Sequence, residues 1–265
     1  MSIFQRILVK ASGNFCIQKL LEKNVKKSQN LMGIGSGGKV SSSGEKVILD
    51  IINQRIQPPY CIFDVGSNRG QFLKLVLENI STEDYSIHCF EPGRETYKLL
   101  FVNSKKDNRI KLNNLGLGRK KSEAVLYYNF PGSGLASLTK RKLDHFGIEF
   151  NKFETIAIDS IDNYCSENKI EHINLLKIDI EGHELDVFAG ASNMFDKKAI
   201  DIVTFEFGGC NIDTRSFFQD FWYFFLECNM KLLRITPSGY LFPIKSYNEI
   251  YEQFRTTNFI ALKND

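Results

Sequence analysis

The chain has 265 residues, 43% of them hydrophobic with 22 Phe and 10 Tyr, which supplies enough apolar surface for a sizeable core and excludes a disordered chain. Its 34 basic and 31 acidic residues leave a formal charge of +3, so no global field draws it to nucleic acid. Six scattered cysteines without a CxxC pair argue against a zinc site or a disulfide framework and fit a reducing cytoplasm. No stretch approaches the roughly 18 apolar residues that span a bilayer, and none near the N-terminus has signal-peptide length.

Positive charge concentrates in residues 1–30, where Arg6, Lys10, Lys19, Lys23, Lys26 and Lys27 face a single acid, Glu22, with Ile3, Phe4, Ile7, Leu8, Leu20 and Leu21 interspersed. Such a pattern suits peripheral contact with an anionic membrane surface. The reading that takes precedence is a helix packing its apolar stripe on the domain, because such stripes are ordinary in globular helices. The segment GIGSGGKVSSSG (33–44) follows, and its Gly and Ser read as a linker or a lid over a nearby pocket. Gly33 through Gly38 and Lys39 imitate a phosphate-binding loop, but Val40 stands where a magnesium-binding hydroxyl belongs and no strand precedes. Val47, Ile48, Ile51, Ile52 and Ile56 then fall at helical spacing over 45–56, and Pro58 and Pro59 stop that helix.

Short apolar runs at 61–65, 87–90, 110–112, 173–178 and 202–207 alternate with helical segments, which predicts a buried parallel sheet joined by right-handed crossovers. Two extended stretches, 124–128 and 153–158, interrupt the alternation and predict a hairpin or added edge. An aromatic helix at 217–226 precedes the final strands at 231–235 and 258–262, and its run 221–225 suits core packing ahead of a sugar platform. The organisation expected is a helical extension with linker or lid (1–57) and one Rossmann-like domain (58–265).

The chemistry starts at DVGSNRG (64–70), where a strand feeds a tight turn and then a helix. Gly66 supplies backbone angles closed to other residues and a close approach to a ligand, Gly70 lets the new helix pack closely, and the helix start offers free N–H groups. A dinucleotide fingerprint needs glycines at 66, 68 and 71, but Asn68 and Gln71 occupy two of these positions. The acid-x-Gly-x-Gly-x-Gly loop of methyltransferases is met by Asp64, Gly66 and Gly70, with Asn68 departing. Glu91 ends the next strand, where an acid accepts hydrogen bonds from ribose hydroxyls, and NNLGLG (113–118) follows the third strand as an adenine edge. The run LLKIDIEGHE (175–184) sets Asp179, Glu181, His183 and Glu184 at the carboxyl edge of the sheet. Asp179 is the strongest of these, whereas His183 and Glu184 suit helix-start capping equally well. Glu206 closes the fifth strand at the same edge.

DVGSNRG, CFEPG, LNNLGLG, the Ser137 of GLASL, LLKIDIEGHE and IVTFEFG stand in an order and spacing that resembles the FkbM-type methyltransferases over roughly 60–227. The resemblance implies a class I methyltransferase fold: a mostly parallel seven-stranded sheet with helices on both faces, an antiparallel last strand and extra N-terminal helices. It implies methyl transfer from S-adenosylmethionine to a hydroxyl oxygen, often of a sugar or glycoconjugate. By matching position it implies cofactor contacts from Asp64, Gly66, Asn68, Gly70, Glu91 and Asn114, with Asp179, Glu181 and His183 beside the reacting methyl, and Ser137 and Glu206 toward the acceptor. Asp179 or His183 is then the base, and no metal is called for. The runner-up, a nicotinamide-dependent oxidoreductase or sugar epimerase, shares the sheet and the ribose acid. It loses on the glycine positions and on the lack of a Tyr-x-x-x-Lys pair at Tyr60, Tyr85, Tyr97, Tyr127, Tyr128 and Tyr164. A third reading, a binding module using the basic N-terminus and Lys140, Arg141 and Lys142, is weaker, since such a cluster is usually a solvated face.

Overall fold

The computed structural model describes residues 2–264 apart from Lys39, Ser41, Lys105 and Lys106, so the lysine of the imitation phosphate loop lies outside the described residues. The chain opens with α1 (Ile3–Ser12), α2 (Phe15–Leu31) and α3 (Lys46–Arg55), then runs β1 (Tyr60–Val65), α4 (Gln71–Asn79), β2 (Tyr85–Phe90), α5 (Arg94–Asn103) and β3 (Ile110–Asn113). Next come β4 (Gly116–Leu117), β5 (Ser122–Tyr128), β6 (Lys152–Asp159), α6 (Ile161–Asn168), β7 (Ile173–Ile178), α7 (Glu184–Ala189) and α8 (Ser192–Asp196). The last part is β8 (Ile200–Phe207), α9 (Cys210–Thr214), α10 (Phe218–Glu227), β9 (Met230–Ile235), β10 (Leu241–Pro243) and β11 (Thr257–Lys263).

The main sheet has the order β10-β9-β11-β8-β7-β1-β2-β3. Its five strands from β3 to β8 are mutually parallel, and β11 runs antiparallel between β8 and β9. These are the seven strands and the antiparallel last strand of the Rossmann-like expectation, extended by one: β10, three residues long, adds an antiparallel edge to β9. The stretches at 124–128 and 153–158 do pair with each other. They leave the main sheet, however, and with β4 form a separate three-stranded sheet.

Alternation along the strands divides the core between the two faces. Ile62, Ile87 and Leu175 pack with Ile48, Leu49 and Ile52 of α3 and with Phe72 and Val76 of α4. Phe63, Phe90 and Leu176 pack on the other face with Phe188, Phe221 and Phe225. One side of the aromatic run is core: Phe221 and Phe225 are fully buried, and Phe221 stacks on Phe205 at 4.7 Å, whereas Tyr223 faces solvent.

The apolar stripe of the N-terminal helices does not pack on the domain. Neither α1 nor α2 has a buried residue, because α3 and α4 already cover the near face of the sheet. α2 joins the body at its C-terminal end, where Arg255 donates to Gln29 Oε1 at 2.5 Å and Asn30 Oδ1 at 3.1 Å. The 33–44 segment then follows the body: Gly35 N and Gly37 N both donate to the Thr256 carbonyl.

Candidate active site

The site lies where the strand order reverses, so that β1 has β2 on one side and β7 on the other and their carboxyl ends diverge into a crevice. Val65 is in register with Phe90 and with Ile178, which brings Gly66, Glu91 and Asp179 side by side one residue later. Backbone bonds lock them together: Gly66 N and Ser67 N donate to Phe90 O at 3.0 Å each, and Asp179 N donates to Val65 O at 2.9 Å.

The turn after β1 alternates through the left-handed region, with φ of 80° at Gly66, 50° at Asn68 and 87° at Gly70. A Cβ at Gly66 would overlap the Asp179 carbonyl oxygen, so glycine is required there. Asn68 takes a conformation that asparagine tolerates better than most residues, which is why it can stand where the general loop has glycine. Its N–H donates to Glu91 Oε2 and Gly93 N donates to Glu91 Oε1, both at 2.9 Å. Glu91 is thus clamped at the cavity wall, and burial pushes its carboxyl up to about 7 against the pull of those two N–H groups.

Two cavities meet at Asp179. The first, about 720 Å³ counted to its mouth, has Gly66, Asn68, Glu91 and Asp179 on one side and Leu117, Leu126, Ile156 and Ile158 on the other. The sheet of β4, β5 and β6 thereby gives this cavity an apolar wall. The second, about 1650 Å³, is bounded by Gly37, Gly38, Glu45, Lys177, Asp179, Glu206 and Asn258, so the glycine-rich segment does edge a pocket.

Carboxylates crowd this junction. Lys177 Nζ sits between Asp64 Oδ1 at 3.5 Å and Asp179 Oδ2 at 3.4 Å, and these carboxylates hold its ammonium charged despite burial. Asp64 is fully buried, and neither of its carboxylate oxygens has a well-formed hydrogen bond. Glu181, at φ 58°, pairs closely with Arg141, whose Nε also reaches Asp213 Oδ2 at 3.3 Å. Burial raises Glu181 to about 8, with the Arg141 charge acting against it. Glu206 is raised further by burial and then by Asp179, Glu181, Glu184 and Glu45.

The residues singled out in the sequence divide by position. Gly66, Asn68, Glu91, Ser137, Asp179, Glu181 and His183 line the first cavity, and Glu206 lines the second. Asp64, Gly70 and Asn114 act from behind the walls. Gly70 starts α4, while Asn114 Nδ2 donates to Glu91 O at 2.9 Å and Pro92 O at 3.1 Å, which braces the acid's turn instead of reaching into the cavity. Ser137 Oγ donates to the Glu181 carbonyl at 2.9 Å and so ties the 133–139 loop to the Glu181 turn. Both His183 nitrogens are engaged, Nδ1 with Asp186 Oδ2 and Nε2 with Thr139 Oγ1, each at 3.0 Å. Glu184 does not cap α7, whose first residue it is; its Oε1 accepts from Gly182 N at 3.0 Å and so holds the turn that precedes the helix.

Sequence reasoning missed Lys177, Glu45 and Arg141. Lys177 gave a signal, a lone cation inside a fully buried strand and two residues before Asp179. Arg141 was read with its neighbours as a solvated face, yet its side chain is 8% exposed and doubly paired.

Residues 64–232 match the Methyltransferase FkbM domain, which covers more than half of the chain and the carboxyl ends of β1, β2, β7 and β8. The chain belongs to the FkbM methyltransferase family. The 2-O-methyltransferase NoeI of Sinorhizobium fredii is 23% identical to this methyltransferase over 179 residues, 64% of this chain and 72% of that protein. The hexuronic acid methyltransferase AglP of Haloferax volcanii is 26% identical over 150 residues, 57% of each chain, so this chain spans just over half of that relative. Among solved structures, methyltransferase FkbM from Methylobacillus flagellatus aligns with 80% of this chain and 47% of its own length, at 15% identity and a TM-score of 0.46.

Proposed function

We propose that this methyltransferase takes S-adenosylmethionine as donor and methylates a hydroxyl oxygen of a sugar or glycan. The observation that carries the reading is the shared cavity edge of Gly66, Glu91 and Asp179, formed by three adjacent strand ends. Gly66 leaves room for close backbone approach, and Glu91 retains lone pairs to accept from a ribose diol while its own geometry is held by Asn68 and Gly93. Leu117, Leu126, Ile156 and Ile158 suit an adenine face. The exposed carboxylate of Asp179, which lies on both cavities, suits a ligand bearing positive charge. When bound, S-adenosylmethionine supplies a methyl activated by its sulfonium. The name of AglP, a hexuronic acid methyltransferase, supports a sugar acceptor, and that of NoeI, a 2-O-methyltransferase, supports transfer to oxygen.

O-methylation asks the protein to align a hydroxyl and accept its proton. Asp179 suits this role because its side chain is 42% exposed and lies on both cavities, and Lys177 holds one of its oxygens in place. His183 already has partners on both nitrogens, so it serves to orient the loop through Thr139. On the second cavity, Glu206, Glu45 and Asn258 offer hydrogen-bond partners to a hydroxyl-rich acceptor. Six unpaired cysteines support a reducing compartment such as the cytoplasm.

Titration calorimetry with S-adenosylmethionine, its demethylated product and NAD tests the donor. Binding of the first two without NAD is expected, and NAD binding in their place would return the oxidoreductase reading. Transfer of labelled methyl from S-adenosylmethionine to oligosaccharides, stable to mild base, tests an ether product.

A further inference from the structure

We propose that α1 and α2 dock this protein on an anionic phospholipid membrane surface. The two helices hold themselves together without tertiary burial. Ser2 and Gln5 form a reciprocal cap on α1, and Asn14 accepts from Ile17 N to cap α2. Each leaves an apolar side in water. Ile3 is 80% exposed, Phe4 70%, Ile7 61% and Leu8 53%, and helical spacing puts these four on one side of α1. Ile17, Leu20, Leu21 and Val25 repeat the arrangement on α2.

The charge pattern selects the occupant. Arg6 and Lys10 lie along one edge of the apolar side of α1; on α2, Lys27 borders the apolar side beside Leu20, and Lys23, Lys19 and Lys26 continue round the polar side with Glu22 as the lone acid. The remainder of the chain carries slightly more acid than base, so the positive charge belongs to these helices. A second copy could cover the apolar side but offers the cations no anionic partner, because its own helices carry the same charge. A leaflet of anionic lipid complements them, and long lysine stems can lie over the apolar zone while their ammonium groups reach phosphates. Among the described residues no helix is long and apolar enough to cross a membrane, so the contact is peripheral.

Docking has a consequence for access. α2 is tied by Gln29 and Asn30 to Arg255, and the next residues, Gly37 and Gly38, edge the larger cavity beside Thr256. The membrane-docking helices are therefore connected to that cavity's rim through a short stretch of chain.

Flotation of the full chain with phosphatidylcholine vesicles, with and without about 30 mol % phosphatidylglycerol, tests this. Binding at least about tenfold stronger to the anionic vesicles is expected, falling by a similar factor in about 0.5 M salt. Ile7→Glu/Leu21→Glu should abolish it and Lys23→Glu/Lys27→Glu should weaken it about tenfold or more, both with unchanged thermal melting because neither pair is buried. No binding to anionic vesicles at low salt overturns the proposal, as does binding that survives both double variants. So does a dimer in sedimentation equilibrium that Leu21→Glu dissociates while vesicles are ignored.

Discussion

Removing the Lys177 ammonium exposes how the acidic junction is held together. In Lys177→Met the apolar stem is nearly matched and only the ammonium is lost, but Asp64 is left fully buried with no cation at 3.5 Å and with no well-formed hydrogen bond to replace it. Breaking a buried pair by deleting one partner typically costs about 3–5 kcal/mol. For a chain of this size each kcal/mol corresponds to about 2–4 °C, so melting should fall by about 6–20 °C at pH 8. The loss should shrink as pH falls, because burial already raises Asp64 and without Lys177 it titrates higher still, so acid neutralises the stranded charge. Lys177→Met/Asp64→Asn should recover most of the stability yet not the activity, since Asp179 still lacks its partner. Denaturant unfolding of the four proteins in a double-mutant cycle checks this. Additive effects of the two substitutions, or a loss that does not depend on pH, would refute the reasoning.

The other expectations follow from the same geometry. Glu91→Gln places an amide NH₂ against Asn68 N–H or Gly93 N–H, and calorimetry should show S-adenosylmethionine affinity lowered by about tenfold or more, equivalent to about 1.5–3 kcal/mol. Unaltered affinity would detach Glu91 from the ribose. Asp179→Asn should reduce turnover about 10²- to 10⁴-fold while donor affinity changes by no more than a few fold, and full turnover would move the proton to another group. Gly66→Ala should lose stability as well as donor binding, because its Cβ meets backbone at Asp179; a normal melting temperature would contradict that. Finally, Glu91 and Glu184 at about 7 and Glu181 at about 8 bind protons in the folded chain at pH values where the unfolded chain, near 4.5, has released them. Their stability contribution is complete below about 4.5 and is lost as pH rises through 7 to 8, so the ligand-free protein should melt lower at pH 8 than at pH 5.5. Scanning fluorimetry across that range decides it, and a rising melting temperature would overturn the assignment of these shifts.

The sequence by itself determined the alternating strands, the turn at Gly66, the acid at Glu91 and the carboxylate pair at Asp179 and Glu181. Each of these is a local event, since a strand end followed by glycine or an acid writes its geometry within a few residues. The short β10 was invisible because three residues carry no period, and the separate sheet of β4, β5 and β6 depends on pairing across Gly116 and Ile158, residues far apart in the chain. Only the tertiary structure decided which charges meet. Lys177 pairs with Asp64 across a strand register, Arg141 reaches Glu181 forty residues later, and both were unreadable as partners in a linear string. It decided against burying the N-terminal stripe too, because whether an amphipathic helix finds a face to cover depends on what already covers that face. Here α3 and α4 occupy it, and α1 and α2 keep their apolar residues in solvent.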